Sequence, residues 1–158
     1  MIAQSARIIR AVLGMAMLVL LVSGCGSQPV AGEVAGQSTA KEAVSIAMQQ
    51  VGVPYRYGGT SPQGFDCSGL VYYAYANAGK RVPRTTSELW HQTQAVSEGD
   101  MQVGDILFFR IEGKVSHVGM YVGGGKFVHA PSSGRKVALA SLRSDFYQRA
   151  LIRAGRLY

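Results

Sequence analysis

Residues 64–79 read Gly64-Phe65-Asp66-Cys67-Ser68-Gly69-Leu70-Val71-Tyr72-Tyr73-Ala74-Tyr75-Ala76-Asn77-Ala78-Gly79, and the reading of this stretch decides the rest. Asp66 is a good N-cap residue, because its short carboxylate can accept from the free amides of a first helical turn. A helix is therefore expected from about Asp66 to Ala78, with Leu70, Val71, Ala74 and Ala78 on its apolar face and Gly79 at its end. Cys67 becomes its first residue, and Gly69 keeps the first turn uncrowded. A helix N-terminus concentrates partial positive charge and unpaired amide donors. That setting favours thiolate over thiol, and the same donors can hold an oxyanion. On these residues alone, a capping Asp followed by an incidental Cys is an equal reading.

Toward the N-terminus, Thr39-Ala40-Lys41-Glu42 has the spacing of a capping box. Ala43, Val44, Ala47, Met48 and Val51 then fall on one helical face, and Gly52 and Pro54 stop the helix. Residues 55–64 are turn-rich. Gly26–Ser38 is rich in Gly, Ser and Ala without an apolar period and is expected to be a flexible tether. Before it lies Met1–Gly24, with Arg7 and Arg10 in a basic n-region and an apolar run of 12 residues, Ala11 to Val22. That is the layout of a secretory leader, and it is shorter than the ~20 residues of a spanning helix. The expected division is a leader over 1–24, a tether over 25–38 and one compact domain over 39–158, with no internal repeat.

Toward the C-terminus the pattern changes. Ile106–Phe109, Val115–Val122, Lys126–Ala130, Lys136–Leu139 and Ala150–Leu157 are short apolar or alternating runs separated by Gly, Pro and Ser. Helices first and strands later predict an α+β domain with the Cys-bearing helix packed on an antiparallel sheet. If Val122 pairs with Lys126 across the Gly123–Gly125 loop, Gly119 faces His129 and His117 lies diagonal to it. Residues 117, 119 and 129 then share one sheet face, so two imidazoles can meet there. A thiol needs an adjacent base, and a base histidine needs a third group to hold its tautomer. Cys67, His117 and His129 can supply those three parts. They could instead bind zinc, but local Cys/His pairs at ligand spacing are missing, and no metal or cofactor is expected. His91 reads as a surface histidine and Trp90 as core or groove wall. Asp66 reads as a cap, Asp105 as a turn residue and Arg84 as a loop tie.

The chain carries 16 basic and 9 acidic residues, and without the leader's two arginines the excess is +5. Such a charge suits an anionic surface or polymer. The cations are scattered rather than clustered as a phosphate-backbone reader needs, so nucleic acid is not an expected partner.

Taken together, Val53-Pro54-Tyr55-Arg56-Tyr57-Gly58-Gly59, Gly64 to Val71, Val82-Pro83-Arg84-Thr85-Thr86-Ser87, Gly104-Asp105-Ile106-Leu107-Phe108-Phe109, Ser116-His117-Val118-Gly119-Met120-Tyr121-Val122-Gly123 and Phe127-Val128-His129-Ala130 resemble the NlpC family of papain-like cysteine peptidases, over about Ala40 to Tyr158. The resemblance implies a circularly permuted papain-like fold, catalytic Cys67, base His117 and orienting His129. It also implies a Tyr55 hydroxyl near the nucleophile and Ser68 lining the place where the substrate's amine-bearing residue is held. The substrate it implies is the peptidoglycan stem peptide, cut either at the D-alanine–meso-diaminopimelate cross-link or at the γ-D-glutamate–diaminopimelate bond. Where many members have Gln, this chain has Leu89 or Trp90, which bears on the shape of the groove. Val22-Ser23-Gly24-Cys25 resembles a bacterial lipobox, implying lipidation of Cys25 and a membrane anchor; if so, Cys67 is the one free thiol. With Gly26 rather than Asp next, the arrangement resembles the Spr-type (MepS-like) lipoproteins, which implies the periplasmic face of the outer membrane and an expected monomer. A catalytically idle wall-binding module and a papain-like amidase or transferase on another envelope substrate are the competing readings.

Overall fold

A computed structural model of the chain describes residues 31–132 and 134–157. The expected leader and Cys25 lie outside them. Among the described residues no helix is long and apolar enough to cross a membrane.

Helix α1 spans Ala31–Gln49. It begins eight residues before the expected capping box, so part of the expected tether is helical. Thr39 is not a cap: its Oγ1 donates back to the Ala35 carbonyl at 3.1 Å, as a mid-helix threonine does. Nothing in Ala31–Ser38 except Gly32 and Gly36 strongly opposes helix, so the preceding turns simply continue into it. Helix α2, Cys67–Asn77, is the one the sequence predicts. Asp66 caps it, with Oδ1 accepting from the Gly69 amide at 2.6 Å. Helix α3, Thr86–Gln92, opens on a true capping box, in which Thr85 Oγ1 accepts from the Glu88 amide and the Glu88 carboxylate accepts from the Thr85 amide.

A small hairpin, β1 (Thr60–Ser61) with β2 (Gly64–Phe65), precedes α2. The main sheet has six antiparallel strands: β3 (Gln94–Val96), β4 (Ile106–Ile111), β5 (Lys114–Gly123), β6 (Lys126–His129), β7 (Ala138–Ser141) and β8 (Leu151–Arg156), in the order β3-β8-β4-β5-β6-β7. Neither β3 nor helix α4 (Asp145–Ala150) was anticipated, and β7 starts two residues later than expected. The α+β class holds, with helices on an antiparallel sheet.

Both faces of the sheet are covered, and β4 shows it directly. Ile106 and Phe108 point into the larger core with Leu70, Val71, Ala43 and Ala47 of the helices; Leu107 and Phe109 point the other way, among Phe127, Ala150 and Ala154. All four β4 residues are fully buried. A strand buried on both faces reads as a continuous apolar run rather than an alternation, which is how Ile106–Phe109 reads.

The β5–β6 register is nearly the expected one. Met120 pairs with Val128 and Tyr121 with Phe127, but Gly123, not Val122, pairs with Lys126. A bulge absorbs the extra residue. The connection is thus the two-residue turn Gly124–Gly125, whose φ of +62° and +71° are those of the type I′ turn that matches strand twist.

Candidate active site

The first half of the site is built at the start of α2. The Asp66 carboxylate accepts from Gly69 and Gly58 amides at 2.6 and 2.9 Å and pairs with Arg84 at 2.6 Å. Arg84 also donates to Ser68 Oγ at 3.0 Å. Gly69 has a sharper role than an uncrowded turn: a Cβ there would sit 1.9 Å from the Gly59 carbonyl oxygen, so only glycine lets the 56–59 loop lie on the helix. These ties fix the residue between them. Cys67 Sγ lies 3.8 Å from the Ser116 carbonyl oxygen and 3.9 Å from Thr86 Oγ1. Burial pushes its thiol above the ordinary range and the Asp66 charge adds to that, against the lowering effect of the Val118 and Ser68 amides and the Thr86 hydroxyl. The sequence argument favoured a thiolate at this helix terminus. Burial is the largest influence on the thiol here and acts against that expectation.

The second half lies on β5 and β6. His117 Nε2 and His129 Nδ1 are 2.8 Å apart, the hydrogen bond that the register argument expected. Both rings are buried. Phe109, which pairs with His117 across β4–β5, packs on that ring at 5.8 Å, and Phe127 packs on His129 at 4.9 Å. Gly119 makes room for this: a Cβ there would meet the Phe127 ring at 2.5 Å. Burial holds His117 down at about 4. Burial, then His117 and Arg135, hold His129 down at about 3. Both imidazoles are therefore neutral at pH 7, one nitrogen donating and one accepting in each.

The two halves meet at the backbone. The thiol rests against the strand on either side of His117, through the Ser116 carbonyl and the Val118 amide. Its polar neighbours are these groups and Thr86, not the imidazole itself. Tyr55 enters from the segment before β1, its amide donating to the Arg135 carbonyl at 2.8 Å. Burial raises its phenol above the ordinary range, with Cys67 and Asp66 adding to that and Arg84 opposing. Ser68 is buried, and its hydroxyl is engaged by Arg84 and Asp66.

The bland readings hold with additions. His91 is exposed. Trp90 packs edge-on to Phe108 at 5.2 Å and carries the Arg153 guanidinium on its face at 3.9 Å, making it core wall. Asp105 does more than turn the chain, since it pairs with Arg156 at 2.8 Å. Sequence reasoning missed Thr86 beside the thiol and Tyr147 beside His129. The first carried a signal in Thr85-Thr86-Ser87-Glu88, a capping box right after Pro83-Arg84; the second carried none. Among the described residues no three His, Cys, Asp or Glu side chains converge as a metal site.

Comparison with known proteins agrees with this geometry. The model of the NlpC/P60 family matches residues 52–156. The chain is 46% identical over 127 residues to the murein DD-endopeptidase MepH of Escherichia coli K12, covering 77% of this chain and 47% of the relative. It is 35% identical over 125 residues to a gamma-D-glutamyl-L-lysine dipeptidyl-peptidase of Bacillus subtilis, covering 77% and 42%. It thus spans under half the length of these curated relatives. Among solved structures, a lipoprotein-like NLP/P60 protein of Staphylococcus aureus superposes with a TM-score of 0.69 at 35% identity, covering 76% of this chain and 41% of that one. The NlpC/p60 domain of the peptidoglycan hydrolase SagA superposes with a TM-score of 0.65 at 31% identity, covering 75% and 98%. With a capped cysteine helix, a histidine pair on the facing strands and a family match across both, this chain belongs to the NlpC/P60 family.

Proposed function

We propose that the protein is a peptidoglycan endopeptidase that cuts an amide of the stem peptides with Cys67 as nucleophile, His117 as base and His129 as its orienting partner. The observation that supports this most is the 2.8 Å His117–His129 hydrogen bond on strands whose backbone meets a half-buried thiol at a helix N-terminus. Thiol and imidazole start as a neutral pair. The S–H turns from the Ser116 carbonyl to His117 Nδ1, the nitrogen that His129 leaves unused. His117 takes the proton as sulfur attacks the amide carbon, and the oxyanion forms near the Ser68 amide and the Tyr55 hydroxyl. The imidazolium returns the proton to the leaving amine. Water, deprotonated by His117, then splits the thioester and releases the acid.

The greater similarity to the relative named a DD-endopeptidase than to the one named a γ-glutamyl peptidase, 46% against 35%, favours the D-alanine–meso-diaminopimelate cross-link. A circularly permuted papain-like core acting as a monomer, anchored by a lipidated Cys25 to the periplasmic face of the outer membrane, completes the proposal. Digestion of purified sacculi tests it, wild type beside Cys67→Ala. The expected result is a fall in cross-linked dimers with intact monomers, lost by at least about 10³-fold in the variant. Shortened stems would instead name the γ-D-glutamate bond. If neither protein cleaves, a wall-binding module or another envelope substrate replaces this reading.

A further inference from the structure

His129 is engaged at both ring nitrogens. Nδ1 meets His117, and Nε2 lies 3.4 Å from the hydroxyl of Tyr147. Tyr147 comes from α4, whose first turn is capped by Ser144. Its ring stands edge-on to His129 at 5.4 Å, to Phe127 at 4.9 Å and to Phe109 at 5.4 Å, so the hydroxyl is aimed by packing against the same aromatic residues that bury the histidines.

We propose that Tyr147 is a positioning residue that sets the proton pattern of the whole chain of rings: its hydroxyl oxygen accepts the Nε2 proton of His129. The proposal rests on the Cys67–His117 reading above. A neutral imidazole has one donor and one acceptor nitrogen, so fixing one end of a hydrogen-bonded pair fixes both rings. With the proton on His129 Nε2, His129 Nδ1 accepts from His117 Nε2–H, and His117 Nδ1 is left bare for the thiol proton. The opposite direction fails. A Tyr147 hydroxyl donating to Nε2 would put the His129 proton on Nδ1, make His117 Nε2 the acceptor and leave a proton on His117 Nδ1, where no thiol proton can be received. The accepting direction suits the surroundings. Tyr147 is only half-buried, so its own O–H can donate to water. Burial raises its phenol above the ordinary range, with Arg135 opposing, and this keeps it a neutral hydroxyl.

Imidazole nitrogen NMR on the full chain with ¹⁵N-labelled histidine tests this, with turnover of a cross-linked muropeptide dimer measured beside it. In wild type, His129 is expected to carry its proton on Nε2 and His117 on Nε2 as well. Tyr147→Phe keeps the packing and loses the acceptor; mixed tautomers are expected at both rings, with kcat down about 3- to 10-fold and KM unchanged. A wild-type proton on His129 Nδ1 overturns the proposal without any variant, so the test survives a variant that does not fold. Unaltered nitrogen shifts in Tyr147→Phe overturn it too, as do mixed tautomers with unchanged kcat. Should wild type cleave no muropeptide, the peptidase reading fails while the spectra still place the protons, so the two failures are distinguishable.

Discussion

The thiol end and the histidine end of the site are held by different kinds of structure. Cys67 is placed by polar ties: Asp66 caps its helix, Gly69 admits the 56–59 loop, and Arg84 pairs with the Asp66 carboxylate from 18 residues on. His117 and His129 are placed by packed aromatic rings. Phe109 comes from β4, Phe127 from β6 and Tyr147 from α4, and all three rings close around the imidazoles. A site held at one end by polar ties and at the other by packed rings responds unevenly to damage. Loss of a cap loosens one helix end, whereas loss of a ring on the far face opens the packing of several elements at once.

The largest effect is expected at the histidine end. Phe109→Ala removes a fully buried ring that touches His117, Phe127 and Tyr147, and a loss of about 3–5 kcal/mol in unfolding free energy is expected by urea titration. A loss below about 1 kcal/mol would mean that the far face collapses easily and that the contrast is weak.

Next comes pH. The folded values of about 4 for His117 and about 3 for His129 lie below the ordinary 6.5, so between those limits the unfolded chain binds protons that the native chain refuses. Their contribution is whole above pH 6.5 and drains away as pH falls through about 4 for His117 and about 3 for His129. The expected slope is on the order of 2 kcal/mol per pH unit near pH 5, read from urea midpoints at successive pH values. The double variant His117→Gln, His129→Gln should flatten it. An equal slope in the variant would place the acid sensitivity elsewhere.

The smallest effect is expected at the thiol end. Asp66→Ala removes the cap and the Arg84 partner, at a cost of about 2 kcal/mol; Thr85→Ala, which removes only the cap of α3, should cost about 1 kcal/mol. If Asp66→Ala matched Phe109→Ala, the cysteine helix would be as globally coupled as the histidine pair.

The same contrast separates what could be read along the chain from what could not. Thr39-Ala40-Lys41-Glu42 and Thr85-Thr86-Ser87-Glu88 share one pattern, yet only the second is a cap. Pro83 stands two residues before Thr85 and blocks any earlier helix, while Ala31–Ser38 lets α1 run through Thr39. The β5–β6 register was legible because a Gly-rich turn and a side-chain period of two leave few pairings; its bulge was not, and the structure moved the last pair by one residue.

The sequence by itself determined the succession of helices then strands, the cap on the cysteine helix and the sheet face shared by the two histidines, since capping and strand alternation act within a few residues. Tertiary structure alone decided that burial pushes the Cys67 thiol up, that Tyr147 stands against His129, and that burial holds both imidazoles well below their ordinary range. Those properties depend on how much water each group loses and on which distant rings exclude it, and burial is a property of the packed whole rather than of any segment.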